Sequence, residues 1–307
     1  MSSVFGAAQA ASGSEKASPS DSAKQAVELA KAGRCKEALP LLKKTAARVA
    51  DKDLKREVGF AGVRCALSAD QADAALDFLR TLNRDFPADP DVLYLSVHTY
   101  SDLSTRASAQ LANSAPASYQ SEELSAEALE VQGKWDDAAN IYRQILKQEP
   151  NLAGIHYRLG RVLVSKPDFG PDVAAQAKQE FEKELQIDPT NAGAEYVLGE
   201  MAKQQQQWDE AIAHFSRAAK LDAGFGDAFV GWGGSLVEVK KFSDAVPPLE
   251  MAARLQPGNP AAHYLLAIAY VRTGKKELAD REFAIQKQLT QKGAAGEPSN
   301  DPQGKPN

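Results

Sequence analysis

Two consecutive blocks decide how this chain folds. They are Ala192–Phe225, AGAEYVLGEMAKQQQQWDEAIAHFSRAAKLDAGF, and Gly226–Asn259, GDAFVGWGGSLVEVKKFSDAVPPLEMAARLQPGN, each of 34 residues. Superposed, Leu198-Gly199 falls on Trp232-Gly233, Ala211 and Phe215 on Ala245 and Leu249, Ala218 on Ala252, and Leu221 on Leu255. An internal period of this length marks a helix–turn–helix unit that cannot bury its apolar face alone and must stack on copies of itself.

The period extends in both directions. Toward the C-terminus, Pro260–Leu289 carries Leu266, Tyr270, Gly274, Ala279 and Phe283 at matching offsets. Toward the N-terminus, Ala153–Asn191 has 39 residues, the extra five falling in the turn-rich stretch Ser165–Asp172, and Tyr119–Leu152 has 34. The pattern weakens before Tyr119. Pro19–Lys52 and Arg56–Asp89 are divergent units, and Pro90–Ser118 has only 29 residues. That third unit is expected to be distorted, with a good first helix and a short second helix over Ser104–Asn113. The expected division is a disordered segment over 1–20, divergent repeats over 21–118, a regular array over 119–289 and a disordered tail over 290–307.

The recurring residue types have a packing explanation. A small residue in each second helix (Ala38, Ala75, Ala138, Ala177, Ala211, Ala245, Ala279) lets two helices cross closely. Four residues on, one turn away, a large residue fills the space beside it: Leu42, Leu79, Tyr142, Phe181, Phe215, Leu249, Phe283. Gly160, Gly199 and Gly233 permit close approach in the first helices. Pro87, Pro150, Pro189 and Pro257 end the units. Ala223 replaces the last of these signals in one block, so Asp222–Phe225 is expected to be more helical. Pro247-Pro248 inside a second helix predicts a kink or a late start behind Ser243 as N-cap.

Composition narrows the function classes. Hydrophobic residues make up 43% and charged residues 25%, and the net charge is −5. A duplex-binding protein needs a basic face, so nucleic acid is not an expected partner. No run approaches the roughly 18 apolar residues of a membrane span. Cys35 and Cys65, the two cysteines, are too few for a disulfide framework and lack C-x-x-C spacing. They read either as small packing residues or as one disulfide between the first two repeats, which requires an oxidising compartment. Val4–Ala10 resembles the end of a secretory signal, with an A-x-A-like site at Ala8-Gln9-Ala10, yet it lacks a basic region before it. Location therefore stays open between cytoplasmic and exported.

With this period and these offsets, the chain resembles the tetratricopeptide repeat family, closely over Tyr119–Leu289 and more weakly over Pro19–Ser118. The resemblance implies an all-α fold: a right-handed superhelical α-solenoid of about eight helix–turn–helix repeats. It also implies a concave groove lined by the first helices that binds a peptide or a partner protein, with no general catalytic activity and no obligatory cofactor. The groove positions are the second, fifth, ninth and twelfth of each unit. Carried onto this sequence, they and their neighbours give Tyr94, Tyr157, Arg158, Arg161, Tyr196, Glu200, Lys203 and Tyr264 as candidate binding residues. The tyrosines read as a stacking wall for a peptide and as packing on their neighbours, two compatible readings. Arg161 is expected to rest on Glu200 of the next unit. The asparagines of the family's carboxylate-gripping branch are missing, which argues against that mode. Gly226–Asn259 presents a bare face at Gly231 and Gly234, where a ligand backbone could approach.

The search for other chemistry returns little. His98, His156, His214 and His263 form no metal-ligand motif, and His156 and His263 read as core residues. Gly224–Gly234 lacks the preceding strand a nucleotide loop needs. Asp136-Asp137 and Asp209-Glu210 open second helices, where acids suit the helix dipole. No catalytic, cofactor or metal residues are assigned. The expected function is a protein–protein scaffold or adaptor, and an enzyme is not expected. The alternative is an assembly factor of a cell-envelope or secretion complex, acting through the convex face or the array ends.

Overall fold

The structure, a computed structural model, describes residues 18–167 and 170–296. Among these residues it contains fifteen α-helices and no strand, grouped in two compact units that divide between Pro116 and Ala117. The signal-like stretch Val4–Ala10, Asp168 and Phe169 of the insertion, and residues 297–307 of the expected tail lie outside the described residues.

The first unit contains α1 (Pro19–Lys31), α2 (Cys35–Thr45), α3 (Lys52–Ser68), α4 (Ala72–Asp85) and α5 (Pro90–Ser114). Helix α1 starts inside the segment expected to be disordered. Pro19 occupies the first turn, and the Ser18 side chain caps it by accepting from the Asp21 N–H at 3.1 Å, so Ser-Pro is here a helix start rather than a loop. The two cysteines are joined: Cys35 and Cys65 form a disulfide with a Cα separation of 4.9 Å. Consecutive helices α2 and α3 run antiparallel, which sets the first residue of α2 beside the last turn of α3 and resolves the two readings in favour of the bridge.

The third unit departs most from expectation. Instead of a hairpin with a second helix over Ser104–Asn113, α5 is one continuous helix of 25 residues. No glycine or proline interrupts the chain between Pro90 and Ala115. Arg106 pairs with Asp102 one turn back, and Thr105 and Ser108 return their hydroxyls to carbonyls four residues earlier. A short second half with Leu111 as its one large apolar residue gains little by folding back, so the helix propagates.

The second unit contains α6 (Tyr119–Val131), α7 (Trp135–Gln148), α8 (Ile155–Val164), α9 (Pro171–Ile187), α10 (Ala192–Gln204), α11 (Trp208–Leu221), α12 (Gly226–Glu238), α13 (Phe242–Leu255), α14 (Pro260–Arg272) and α15 (Lys276–Gly296). These are five hairpins, with the even-numbered helices as first helices. Among the described residues there are thus seven hairpins and the lone α5, an all-α solenoid fold. The small-and-large rule builds the core. Ala138, Ala177, Ala211, Ala245, Tyr142, Phe181, Phe215 and Leu249 are all fully buried, each large side chain contributing about 1.5–3 kcal/mol by burial. A Cβ on Gly160 would lie 2.8 Å from the Phe181 ring, and one on Gly199 equally close to Phe215.

Three expectations are corrected at helix ends. Helix α11 stops at Leu221, because the Asp222 side chain accepts from the Gly224 N–H at 2.8 Å and forms a tight turn. Helix α13 starts at Phe242 without a Ser243 cap and runs through both prolines. Pro247 and Pro248 sit five and six residues past that start, and the buried Pro248 packs into the core. Helix α15 continues past Leu289 to Gly296, since no breaker stands between Lys276 and Gly293.

Candidate functional site

The first helices of the second unit carry seven of the eight candidate residues; Tyr94 lies on α5 of the first unit. Tyr94 is 67% exposed beside Leu93, Val97 and Tyr100, which are also exposed. The other three tyrosines follow one rule, each packing on the phenylalanine of its own second helix. Ring-centroid distances are 5.9 Å for Tyr157–Phe181, 5.7 Å for Tyr196–Phe215 and 6.2 Å for Tyr264–Phe283. Tyr157 and Tyr196 are half-buried, and Tyr157 also covers Gly193 of the next first helix. Tyr264 is 49% exposed. The packing reading therefore holds for all three, and Tyr264 in addition leaves much of its ring to solvent.

The arginines turn toward α6. Arg158 meets Glu123 and Glu127, each at 2.7 Å, and Arg161 meets Glu130 at 2.7 Å. Glu130 also accepts from the Tyr142 hydroxyl at 2.5 Å. Glu200 is not the resting partner of Arg161. It pairs with Lys203 at 2.6 Å, one turn along its own helix, where the i, i+3 spacing offers a nearer cation than the neighbouring repeat does.

A pocket of about 350 Å³ opens where α10, α12 and α14 adjoin. One stripe of α12 makes its floor: Asp227, Val230, Gly231, Gly234, Ser235 and Glu238. Tyr196, Glu200 and Lys203 wall it from α10, with Trp208 and Leu265 completing the rim. Here the expectation of a bare face at two glycines divides. A Cβ on Gly231 would lie 2.7 Å from the Phe215 ring, so that glycine serves the core. A Cβ on Gly234 would meet only Leu265, at 3.3 Å, so that glycine serves the pocket. The Tyr196 hydroxyl is pushed up to about 12, first by burial and then by the carboxylates of Glu200 and Asp227.

Sequence reasoning missed Asp227, Ser235, Glu238 and Leu265. Asp227 was within reach, since it holds the second position of its unit. It also missed a buried carboxylate that holds α8 in place. Glu184 is fully buried, and its oxygens accept from the backbone N–H groups of Gly154 at 2.7 Å and Tyr157 at 3.1 Å. Helix α8 starts at a glycine with no side-chain cap of its own; a carboxylate supplied by α9 satisfies its orphan donors and suits its dipole. The signal was an acid where the other units place Ile145, Ala218 and Ala252.

Three hairpins share a further buried device. His156 Nδ1 lies 2.5 Å from Glu180, His263 Nδ1 lies 2.6 Å from Glu282, and in α10–α11 the polarity is reversed, with Glu195 on the first helix 2.6 Å from His214. In α12–α13 the same two positions hold Phe229 and Pro248. The second nitrogen of His156 faces the Pro150 carbonyl at 3.1 Å. Both ring nitrogens therefore face acceptors, and the pKa of His156 is raised, chiefly by the Glu180 hydrogen bond. Burial is the largest influence on Glu195 and opposes its charge, but the hydrogen bonds from His214 and Arg217 together outweigh it and lower its pKa. Among the described residues, no group of three or more His, Cys, Asp or Glu is placed to hold a metal ion, and no helix is long and apolar enough to cross a membrane.

Comparison with known proteins agrees with this architecture. A tetratricopeptide repeat family model matches residues 124–192 and 231–282. The tetratricopeptide repeat-containing protein trd-1 of Caenorhabditis elegans is 24% identical over 153 residues, covering 48% of this chain and 18% of that protein. Anaphase-promoting complex subunit 6 of Arabidopsis thaliana is 32% identical over 78 residues, covering 25% of this chain and 14% of that one. The chain thus spans less than a fifth of the length of these relatives. Among solved structures, a MamA RS-1 ArsTM double mutant superposes with a TM-score of 0.50 at 17% identity, over 58% of this chain and 97% of that one; this is a likeness of fold.

Proposed function

We propose that this tetratricopeptide repeat protein is a scaffold that binds a segment of a partner polypeptide along the first helices of its second unit, with the α10–α12–α14 pocket as the central contact. The observation that carries the reading is the pocket itself. At Gly234 the helix surface retreats and only the end of the Leu265 side chain comes near, at 3.3 Å, while the spaces beside Gly160, Gly199 and Gly233 are each filled by a core side chain. Tyr196 walls it as a rigid amphipathic surface of the kind that dominates recognition energy. The arginines are committed to α6, so they shape the face rather than grip a ligand's carboxylate. Arg158, Arg161, Glu200 and Lys203 are each paired with a neighbouring side chain.

Gly234→Phe tests this reading. The Cβ at this position meets only Leu265, at 3.3 Å, and the ring extends into the pocket beyond it, so the variant should keep its far-UV circular dichroism and lose its bound partner. Unchanged partner binding by the folded variant would overturn the proposal.

The α5 face favours a second reading, as an assembly component. Leu93, Tyr94, Val97 and Tyr100 form an exposed apolar strip on a helix that lacks a hairpin partner. Light scattering tests it: Tyr94→Glu with Val97→Glu should reduce any self-association seen in the wild type, and a strict monomer at tens of micromolar counts against this reading. The Cys35–Cys65 bridge favours the exported location. Protein isolated from its native cells should then show no thiol that reacts after unfolding, and two reactive thiols would contradict that placement.

A further inference from the structure

The charges in the pocket do not balance. Glu200, Asp227 and Glu238 face a single cation, Lys203, and that cation is neutralised by Glu200 at 2.6 Å. Asp227, which accepts one hydrogen bond from the Gln256 amide at 2.9 Å, and Glu238 remain without a cation, one at each end of the α12 stripe. Eleven residues of helix separate them by about 16 Å. Asp227 lies in the first turn, where the helix dipole favours an acid. Glu238 is the last residue of the same helix, where the dipole disfavours one, and among the described residues it has no hydrogen bond or ion pair. Helix stability therefore does not explain it. Between the two acids sits Ser235, 1% exposed, whose Oγ has no hydrogen-bond partner among the described residues. A buried hydroxyl without a partner costs stability unless something supplies one. Tyr196 presents its ring beside the Asp227 end, a surface that attracts cations.

We propose that the segment held in this pocket is basic: a lysine or arginine of the partner meets Asp227 beside the Tyr196 ring, its backbone passes over Gly234 and Ser235, and a second basic residue reaches Glu238. An extended chain spans that separation in about five residues. The Tyr196 hydroxyl's pKa is raised chiefly by burial and further by the Glu200 and Asp227 carboxylates, which places both acids within electrostatic reach of that ring. This inference rests on the peptide-binding reading above and adds the chemistry of what is bound.

The test is a selection from a phage-displayed library of random dodecapeptides against the whole chain. Gly234→Phe serves as the filled-pocket control, and Asp227→Asn with Glu238→Gln as the neutralised variant. Folding of both is checked by circular dichroism. The expected result is a peptide set that depends on Gly234, is enriched in lysine or arginine at two positions about five apart, and binds the neutralised variant about tenfold more weakly. Replacing the arginine of a selected peptide by neutral citrulline should cost a similar factor. Gly234-dependent peptides without basic enrichment, or basic peptides that bind the folded neutralised variant equally well, would overturn the inference while leaving the groove reading intact. Peptides that ignore the Gly234→Phe block, or none at all, would remove both.

Discussion

The hairpins α10–α11 and α12–α13 share a length, a turn and a core, and they differ in almost every polar choice. The first hairpin pairs buried Glu195 with His214 and with the outward-reaching Arg217, where the second has the buried apolar residues Phe229 and Pro248 at the two matching positions. The first places Tyr196, Glu200 and Lys203 at half-buried positions of its first helix, where the second has Val230, Gly234 and Val237. The difference shows how labour is divided. Positions that determine how repeats stack are held to size, while positions facing outward are free to make one hairpin the wall of a pocket and the next its floor.

The cores should prove unequal despite their matching offsets. Phe215 fills the space beside both Gly199 and Gly231, on two consecutive first helices, whereas Leu249 fills that beside Gly233. Phe215→Ala should cost about 3–5 kcal/mol in urea denaturation, against about 2–5 kcal/mol for Leu249→Ala, with the phenylalanine at the upper end. A larger loss at Leu249 would break the comparison. Next in size is the contrast between two glycines of one helix. Gly231→Ala should lose about 1–3 kcal/mol by overpacking, while Gly234→Ala should be neutral or gain up to about 1 kcal/mol from helix propensity. Equal effects would mean that the pocket is not the open space described.

The acid–base pairs give a pH contrast. His156 has a raised pKa in the folded state, so its pairing stabilises fully below its unfolded value of about 6.5 and the contribution is lost as pH rises through the folded value. Glu180→Gln should therefore destabilise in mildly acid and neutral solution and matter less above that value. Phe229→Leu, at the matching position of the pairless hairpin, should cost the same at every pH. The smallest expected effect is a gain. Gln206 and Lys240 adopt φ of 58° and 62° at the turn position where Gly133 and Gly274 stand in other hairpins. Gln206→Gly and Lys240→Gly should each raise stability by about 1 kcal/mol, read as a higher melting temperature.

Much of this was legible in the sequence because periodicity records size. Ala211 over Ala245, Phe215 over Leu249 and Gly199 over Gly233 are statements about volume at a helix crossing, and volume decides the fold. The tyrosine row was legible for the same reason. What periodicity does not record is the direction of long side chains. Arg161 reaches Glu130 instead of Glu200 because rotamer and local competition settle an ion pair, and neither has a sequence period. Glu184 broke the apolar pattern, yet its role depends on α8 lacking a cap, a property of another segment. Helix α5 was misread because the repeat was extrapolated across a stretch with no turn residue and too little apolar surface to fold back. Asp227 and Glu238 were ordinary helix-end acids until the pocket placed them around Ser235.

The central claim is that partner polypeptide lies over Gly234, on the first-helix face of the second unit. Photo-crosslinking from benzoylphenylalanine placed at Leu265, on the pocket rim, and at Arg254, an exposed residue of second helix α13, tests it in native cells. The account expects covalent adducts with the partner from position 265 and none from position 254, with the adduct lost when Gly234→Phe is added. Adducts formed from position 254, or from 265 undiminished by the filled pocket, would contradict it.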